Sequence, residues 1–177
     1  MNTMHAGLVA FDTALGTCAV RWTPAGIASV RLPSAKTDRL PRLDDSVRVP
    51  AEIRRAIDGI VAVLAGEPCD LGFVALDERG LDALQRDVYA ATRRIPAGST
   101  VTYGEIARAI GRRDPTAARD VGAALARNPF PVIVPCHRVL GANGRLTGFS
   151  APGGLATKRR MLEREGAPGF GQQVLFG

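Results

Sequence analysis

Residues 128–141, NPFPVIVPCHRVLG, place Cys136 and His137 side by side at the end of an apolar, proline-rich stretch. The pairing stands out because the chain contains only 3 cysteines and 2 histidines. The prolines at 129, 131 and 135 restrict the backbone, and the apolar run at 132–134 is expected to be buried. The stretch therefore predicts a thiol on a stiff, anchored loop beside a titratable imidazole.

A cysteine reacts as its thiolate, so a nucleophilic Cys136 needs a base, a positive charge or a helix N-terminus nearby. His137 is the nearest base in the sequence. Because adjacent side chains rarely point the same way, we expect a bridging water between them and no direct hydrogen bond. On the residues alone, a buried inert cysteine beside a surface histidine remains an alternative.

Two short helices are predicted just before this loop. Thr102 and Glu105 form a capping box at the start of YGEIARAIG, and Gly111 ends that helix. Asp114-Pro115 predicts the start of a second helix, which runs through TAARDVGAALAR and stops before Asn128. The pair is typical of a helix-turn-helix. Its Ala- and Gly-rich second helix favours close approach, either to another helix or to a DNA groove.

The rest of the chain predicts an α/β (α+β) fold. Before the boundary that we place near Gly80, three strands (GLVAFDT, TCAVRWT and GIASVRL), a helix (AEIRRAIDGIVAVLAG) and a last strand (LGFVAL) are expected. Residues 81–94 predict one more helix. We therefore expect an N-terminal α/β supporting domain at 1–80 and a mainly helical C-terminal domain at 81–177.

Charge is unevenly distributed along the chain. Residues 1–80 carry nine Lys/Arg against ten Asp/Glu, whereas residues 81–177 carry fourteen against seven. The C-terminal part thus holds the whole positive excess, which indicates either a polyanionic partner, most simply nucleic acid, or a solvated basic surface.

Several classes of protein are disfavoured by composition. No apolar run approaches the ~18–20 residues that span a bilayer, and no signal peptide is recognised at the N-terminus, so we expect no membrane partner. Three dispersed cysteines argue against a disulfide framework and favour a cytoplasmic location. Cys18, Cys69 and His5 leave a three-ligand zinc site open, although their spacing matches no template. We expect the protein to bind no metal ion.

The segment PCHRV, preceded by Asn-Pro, resembles the active-site signature of the O6-alkylguanine-DNA alkyltransferases, or methylated-DNA–protein-cysteine methyltransferases. The resemblance covers most of the chain: IPAGSTVTYGEIARAIG, AARDVGAALARNP, GRLTGFS and GGLATKRRMLEREG are similar to family motifs in the same order, as is FDTALGTCAV near the N-terminus. It implies a ribonuclease H-like N-terminal domain and a winged-helix-like C-terminal domain.

The same resemblance implies an activity. Such proteins bind duplex DNA from the minor groove, rotate an O6-alkylguanine (or O4-alkylthymine) out of the stack and transfer the alkyl group once to cysteine. The transfer needs no cofactor, and a monomer is expected.

Residue roles are also implied by the resemblance. Cys136 would accept the alkyl group, His137 would take its proton through water, Glu165 in the final helix would orient the histidine, and Asn128 would tie the recognition helix to the loop. Arg119 would replace the flipped base, Tyr103 would assist rotation and bind guanine, and the carbonyls of Cys136 and Val139 would bind its amino group. The Ser150 N–H would meet O6. Phe149 would wall the guanine, and Ala117 and Ala118 would approach DNA.

Three departures from the family pattern bear on affinity and specificity. Asp120 stands where alanine is usual, and its carboxylate is expected to repel phosphate unless it turns toward Arg119 or Arg113. Phe149 replaces a tyrosine, and Ala151-Pro152 forms a small insertion. The alternative functions are a non-catalytic, alkyltransferase-like lesion binder, which would lack the acceptor cysteine, and a multiple-turnover cysteine hydrolase.

Overall fold

A three-stranded antiparallel sheet begins the fold in a computed structural model that describes residues 5–44 and 46–171. Its order is β1 (Gly7–Thr13), β2 (Gly16–Thr23) and β3 (Gly26–Arg31). Gly16 and Gly26 follow the two tight turns with φ of 125° and 134°, which side chains rarely adopt. The three predicted strands are confirmed.

Helix α1 (Ala51–Ala65) follows a loop that contains a short 3-10 helix at Thr37–Arg39. Its buried face includes Ile53, Ile57 and Ile60, which belong to the same apolar core as the inner residues of the sheet. Gly66 ends the helix in the left-handed conformation. The period of apolar residues thus predicted the helix correctly, and the glycine at 66 predicted its end.

The predicted strand at residues 71–76 is wrong. This segment turns, and only Leu76 bridges to the sheet, opposite Ile27. The guanidinium of Arg93 donates to the carbonyls of Leu71 and Val74 at 2.9 and 2.8 Å. A side chain from a later helix therefore satisfies backbone groups that a strand partner would otherwise have satisfied.

Four further helices complete the described chain. They are α2 (Ala83–Thr92), α3 (Tyr103–Ala109), α4 (Ala117–Ala126) and α5 (Gly154–Arg164). Two short strands, β4 (Val101–Thr102) before α3 and β5 (Val139–Leu140) between α4 and α5, pair in parallel. Because β4 leads directly into α3 and β5 follows a short 3-10 helix at Cys136–Arg138, this pair brings the start of α3 close to Cys136.

Helices α3 and α4 form the predicted helix-turn-helix. The capping box at the start of α3 is confirmed, since the Thr102 hydroxyl accepts from the Glu105 N–H and Glu105 accepts from the Thr102 N–H. The predicted start of α4 was early, because Asp114 and Pro115 lie in a turn and the helix begins at Ala117. The Asp114 carboxylate accepts from the Thr116 hydroxyl in that turn and does not cap the helix.

One continuous apolar core includes residues from both sides of Gly80, among them Trp22 from the sheet and Val88, Tyr89 and Phe130 from later elements. The mixed α/β fold class is confirmed, whereas the domain boundary and the ribonuclease H-like and winged-helix-like assignments stay predictions. Residues 172–177, part of the predicted C-terminal domain, lie outside the described residues. Within the described part, no helix has the length and apolar character needed to cross a membrane.

Candidate active site

The loop that leads to Cys136 is closed on itself by the side chain of Asn128. Its amide nitrogen donates to the Val134 carbonyl at 2.9 Å, and its amide oxygen accepts from the Phe130 N–H at 2.9 Å. The apolar run at 132–134 is buried as expected. Val132 has a φ of 75°, which is strained for a β-branched residue. The surrounding bonds and packing hold this conformation, so the position of Cys136 is fixed.

The sheet also supports this loop. The backbone N–H of Val30, in β3, donates to the carbonyl of Pro129 at 2.9 Å. The loop is therefore anchored to the end of α4 through Asn128 and to the first part of the chain through Val30.

Cys136 lies at the wall of a cavity of about 600 Å³. Its thiol is half-buried, whereas Cys18 is enclosed in the core. The cavity falls within the range of ~300–1,000 Å³ typical of small-molecule sites. Tyr103, Asn128 and Phe149 contribute to its lining. A thiol with access to a pocket of this size is placed to react with a bound molecule, which the inert-cysteine alternative does not predict.

Burial raises the pKa of the Cys136 thiol, and the neighbouring Asn128 amide and the charge of Lys158 oppose this effect. Burial likewise raises the pKa of Cys18, to about 11. At neutral pH both groups are mainly thiols, so Cys136 needs a proton acceptor to act as a nucleophile.

His137 is buried in an ion-pair network immediately beside the thiol. Its Nε2 lies 2.8 Å from Oε1 of Glu165, whose side chain is only 3% exposed. The guanidinium of Arg138 binds the same carboxylate through Nε and Nη2, and its Nη1 donates to the Ile95 carbonyl at 2.7 Å. Glu165 therefore binds the side chains of the two residues that follow Cys136, His137 and Arg138. It lies at the C-cap of α5, one residue beyond the helix in which it was predicted.

The charges of this network are set by burial and by the hydrogen bonds. Burial lowers the pKa of His137 against the opposing effect of Glu165, which favours the neutral imidazole. Burial alone would raise the pKa of Glu165, but the hydrogen bonds from His137 and Arg138 lower it to about 2. Nδ1 of His137 is buried and has no hydrogen-bond partner in the described structure. A neutral imidazole held through Nε2 can accept a proton at Nδ1.

Lys158 is a site residue that the sequence analysis did not single out. Its buried ammonium donates to the carbonyls of Val139 and Thr147 at 2.6 and 2.8 Å and reaches Gly148 at 3.3 Å. Burial lowers its pKa to about 8. Lys158 thus joins β5 to the segment that precedes Phe149. Lys158 lies in the motif GGLATKRRMLEREG, and this motif was the sequence signal that could have identified it.

Three of the residues predicted to bind guanine converge on the cavity. Tyr103, Phe149 and Ser150 all line it. The Tyr103 hydroxyl donates to the Thr147 carbonyl at 3.2 Å, and the Ser150 hydroxyl donates to the Ala126 carbonyl at the end of α4 at 2.8 Å. Gly148, with a φ of 57°, lets this segment lie against the Tyr103 hydroxyl, since a Cβ at residue 148 would lie 3.0 Å from that oxygen. Val139 is different: it is buried outside this lining, and its carbonyl is bonded to Lys158.

The surface of α4 is only partly as predicted. Ala118 and Arg119 are exposed near its N-terminus, whereas Ala117 is buried in the core. The part of Ala117 in the approach to DNA stays a prediction; its side chain is 3% exposed and packs into the core.

Asp120 turns away from both partners that the sequence suggested. Its carboxylate pairs with Arg112 at 2.9 Å and accepts from the Thr116 hydroxyl at 3.1 Å. Asp114 binds the same guanidinium at 3.0 Å. Two carboxylates therefore neutralise Arg112 in the turn between α3 and α4, and neither Arg119 nor Arg113 is the partner.

The zinc alternative receives no support. Over residues 5–44 and 46–171, no group of three or more His, Cys, Asp or Glu side chains is arranged to hold a metal ion. Cys18 instead lies in β2, close to the Thr13 hydroxyl.

Comparisons with known proteins agree with this geometry. Residues 83–167 match the family model of the 6-O-methylguanine DNA methyltransferase DNA-binding domain. The methylated-DNA–protein-cysteine methyltransferase of Mycobacterium tuberculosis is 46% identical over 127 residues, which are 72% of this chain and 73% of that protein. The protein of the same description from Methanosarcina acetivorans is 38% identical over 157 residues, 89% of this chain and 96% of its own.

Solved structures extend the likeness to the fold. The crystal structure of Mycobacterium tuberculosis OGT in complex with DNA has a TM-score of 0.71 at 36% identity and covers 92% of this chain and 96% of that one. The Mycobacterium tuberculosis O6-methylguanine methyltransferase structure gives 0.70 at 35% identity, with coverage of 91% and 93%. By sequence over most of its length and by fold, this chain belongs to the O6-methylguanine-DNA methyltransferase family.

Proposed function

We propose that this protein repairs duplex DNA by moving the alkyl group of O6-alkylguanine, and of O4-alkylthymine, irreversibly to Cys136. The observation that carries the proposal is the half-buried thiol at a cavity beside the buried His137–Glu165–Arg138 network. Helix α4 of the helix-turn-helix lines the same cavity through Gly122 and Leu125, so a base rotated out of the duplex has a pocket next to the DNA-binding element.

The chemistry follows from the protonation states. The raised pKa of Cys136 keeps the thiol protonated, and the lowered pKa of His137 keeps the imidazole neutral. His137 takes the thiol proton at Nδ1 through a water molecule, and Glu165 stabilises the imidazolium that forms. The sulfur–carbon bond forms as the carbon–O6 bond breaks, and the proton passes to the departing guanine. The products are S-alkylcysteine and unmodified guanine, so each molecule acts once.

The remaining roles concern the base and the duplex. Tyr103 crowds the phosphate of the target nucleotide and donates to the base, the Ser150 N–H meets O6, and Phe149 walls the ring. The carbonyls of Cys136 and Val139 accept from the guanine amino group; at Val139 this requires sharing the oxygen with Lys158. Asn128 couples α4 to the acceptor loop.

On the DNA side, Arg119 enters the stack that the flipped base leaves, and Ala118 allows the helix to approach the minor groove. Both residues are exposed on the same end of α4. The positive excess of the C-terminal part is consistent with a polyanionic partner.

The decisive measurement is the intact mass of the protein after incubation with a duplex that carries one O6-methylguanine. We expect a gain of one methyl group per molecule, absent from Cys136→Ser and retained in Cys69→Ser, which removes a thiol outside this cavity.

Two results would overturn the proposal. Preferential binding of the lesion duplex without any mass gain would favour a non-catalytic lesion binder, the alternative that the presence of Cys136 disfavours. Repeated release of product without a stable adduct would favour a cysteine hydrolase.

A further inference from the structure

Part of the wall of the Cys136 cavity comes from the first part of the chain, the region predicted as the N-terminal supporting domain. Val30 and Arg31 at the end of β3, with Leu32, Ser34 and Lys36 beyond it, line the same cavity as Cys136 and Phe149. The N-terminal region therefore contributes directly to the cavity that Cys136 lines.

This wall is held in place by both backbone and side-chain bonds. β3 pairs with β2 and also donates from Val30 to the acceptor loop. Beyond the strand, the buried Thr37 hydroxyl accepts from the Ser34 N–H at 2.9 Å and donates to the Ser34 carbonyl at 2.7 Å. Lys36 lies inside this closed turn, so the position of its backbone relative to the cavity is defined.

The wall combines an apolar surface with two cations. Val30 and Leu32 are almost wholly buried and present an apolar edge to the cavity. Arg31 and Lys36 are exposed, and neither side chain makes a hydrogen bond or an ion pair with any residue that the structure describes. Arg42, by contrast, is paired with Asp12 on the same sheet. The cavity rim thus carries positive charge available to a ligand.

In-line attack by the Cys136 sulfur directs any further substituent on the reacting carbon to the side of the sulfur–carbon–oxygen axis. A cavity of about 600 Å³ accommodates ligands larger than a methylated purine, so it has room for such a substituent. We propose that Val30, Leu32, Arg31 and Lys36 form a subsite for the alkyl substituent and favour an anionic one, such as a carboxymethyl group. This inference rests on the proposed transfer to Cys136 and assigns its substrate range.

The test compares single-turnover transfer rates from three duplexes that differ only in the lesion. They carry O6-methylguanine, O6-carboxymethylguanine or O6-(carbamoylmethyl)guanine, the last being a neutral group of nearly the same shape. The Arg31→Ala/Lys36→Ala double variant removes both cations. Arg39→Ala is the matched control, because Arg39 is exposed on the adjacent 3-10 helix but does not line the cavity.

We expect the wild type and Arg39→Ala to transfer the carboxymethyl group about threefold faster than the carbamoylmethyl group at low salt. The double variant should lose this preference while its methyl-transfer rate and duplex affinity stay unchanged. No preference in the wild type, or a preference retained in the double variant, would overturn the inference. If all three rates fell together with duplex affinity, the two cations would bind DNA phosphates and the subsite would again be refuted. Failure of methyl transfer in the wild type would instead refute the proposed function.

Discussion

Replacing Glu165 by glutamine tests the network that positions His137. The substitution keeps the shape of the side chain but removes the charge that His137 and Arg138 share at 2.8 and 2.7 Å. Hydrogen bonds lower the pKa of Glu165 from 4.5 to about 2 despite its burial. At ~1.4 kcal/mol per pKa unit, this shift corresponds to about 3 kcal/mol of stabilisation by the ionised form.

The same shift gives a pH dependence. Because the folded-state pKa lies below the ordinary value of 4.5, the stabilisation is fully present above about pH 4.5 and is lost as the pH falls through about 2. At pH 7 we therefore expect Glu165→Gln to lower the free energy of unfolding by about 3 kcal/mol, and we expect the difference from wild type to shrink progressively below pH 4.5.

Urea denaturation followed by circular dichroism at several pH values measures both quantities. Glu163→Gln is the matched control, because Glu163 lies exposed on α5 and its replacement should change stability by less than ~0.5 kcal/mol. Equal urea midpoints for Glu165→Gln and wild type at pH 7, or a difference that does not change with pH, would refute the argument that the ionised carboxylate stabilises this network.

Further outcomes are expected at other sites. Asp120→Ala removes one of the two carboxylates that bind Arg112 and leaves this arginine paired with Asp114, so it should tighten binding to undamaged duplex about threefold in fluorescence anisotropy at matched salt; unchanged or weaker binding counts against this. Tyr89→Phe loses a 2.8 Å hydrogen bond to the Ala124 carbonyl and should cost about 1 kcal/mol in urea unfolding, and an unchanged midpoint would contradict it. The rate of methyl transfer should rise from pH 7 to pH 9, because burial raises the pKa of Cys136; a flat single-turnover profile would show that thiol ionisation does not limit transfer.

Local patterns predicted many of the secondary-structure elements. The three strands, α1 and the capping box of Thr102 and Glu105 are specified by residues within a few positions of each other, through side-chain period and backbone hydrogen bonds. The segment 71–76 has an equally strand-like composition, yet Arg93 satisfies its carbonyls from 19 to 22 residues away. Composition could not reveal that Arg93 takes the place of a strand partner for these carbonyls, because Arg93 is distant from them in sequence.

The acceptor site also has some residues that the sequence predicted and some contacts that only the fold reveals. Cys136 and His137 were recognised from one short segment, and the family motifs suggested Glu165. The partner of Asp120, the burial of Ala117 and the role of Lys158 as a bridge between three carbonyls depend on which elements pack together.

The sequence by itself determined the first three strands, α1, the nucleophile and the family, because each depends on local patterns or on motifs that can be recognised without the fold. Only the tertiary structure decided the charge state of the Cys136 surroundings and the composition of the cavity wall. Burial sets the pKa of His137, and the approach of β3 to the acceptor loop places Arg31 and Lys36 at the pocket. Both effects depend on distances across the fold, since desolvation and Coulomb interactions act through space and not along the chain.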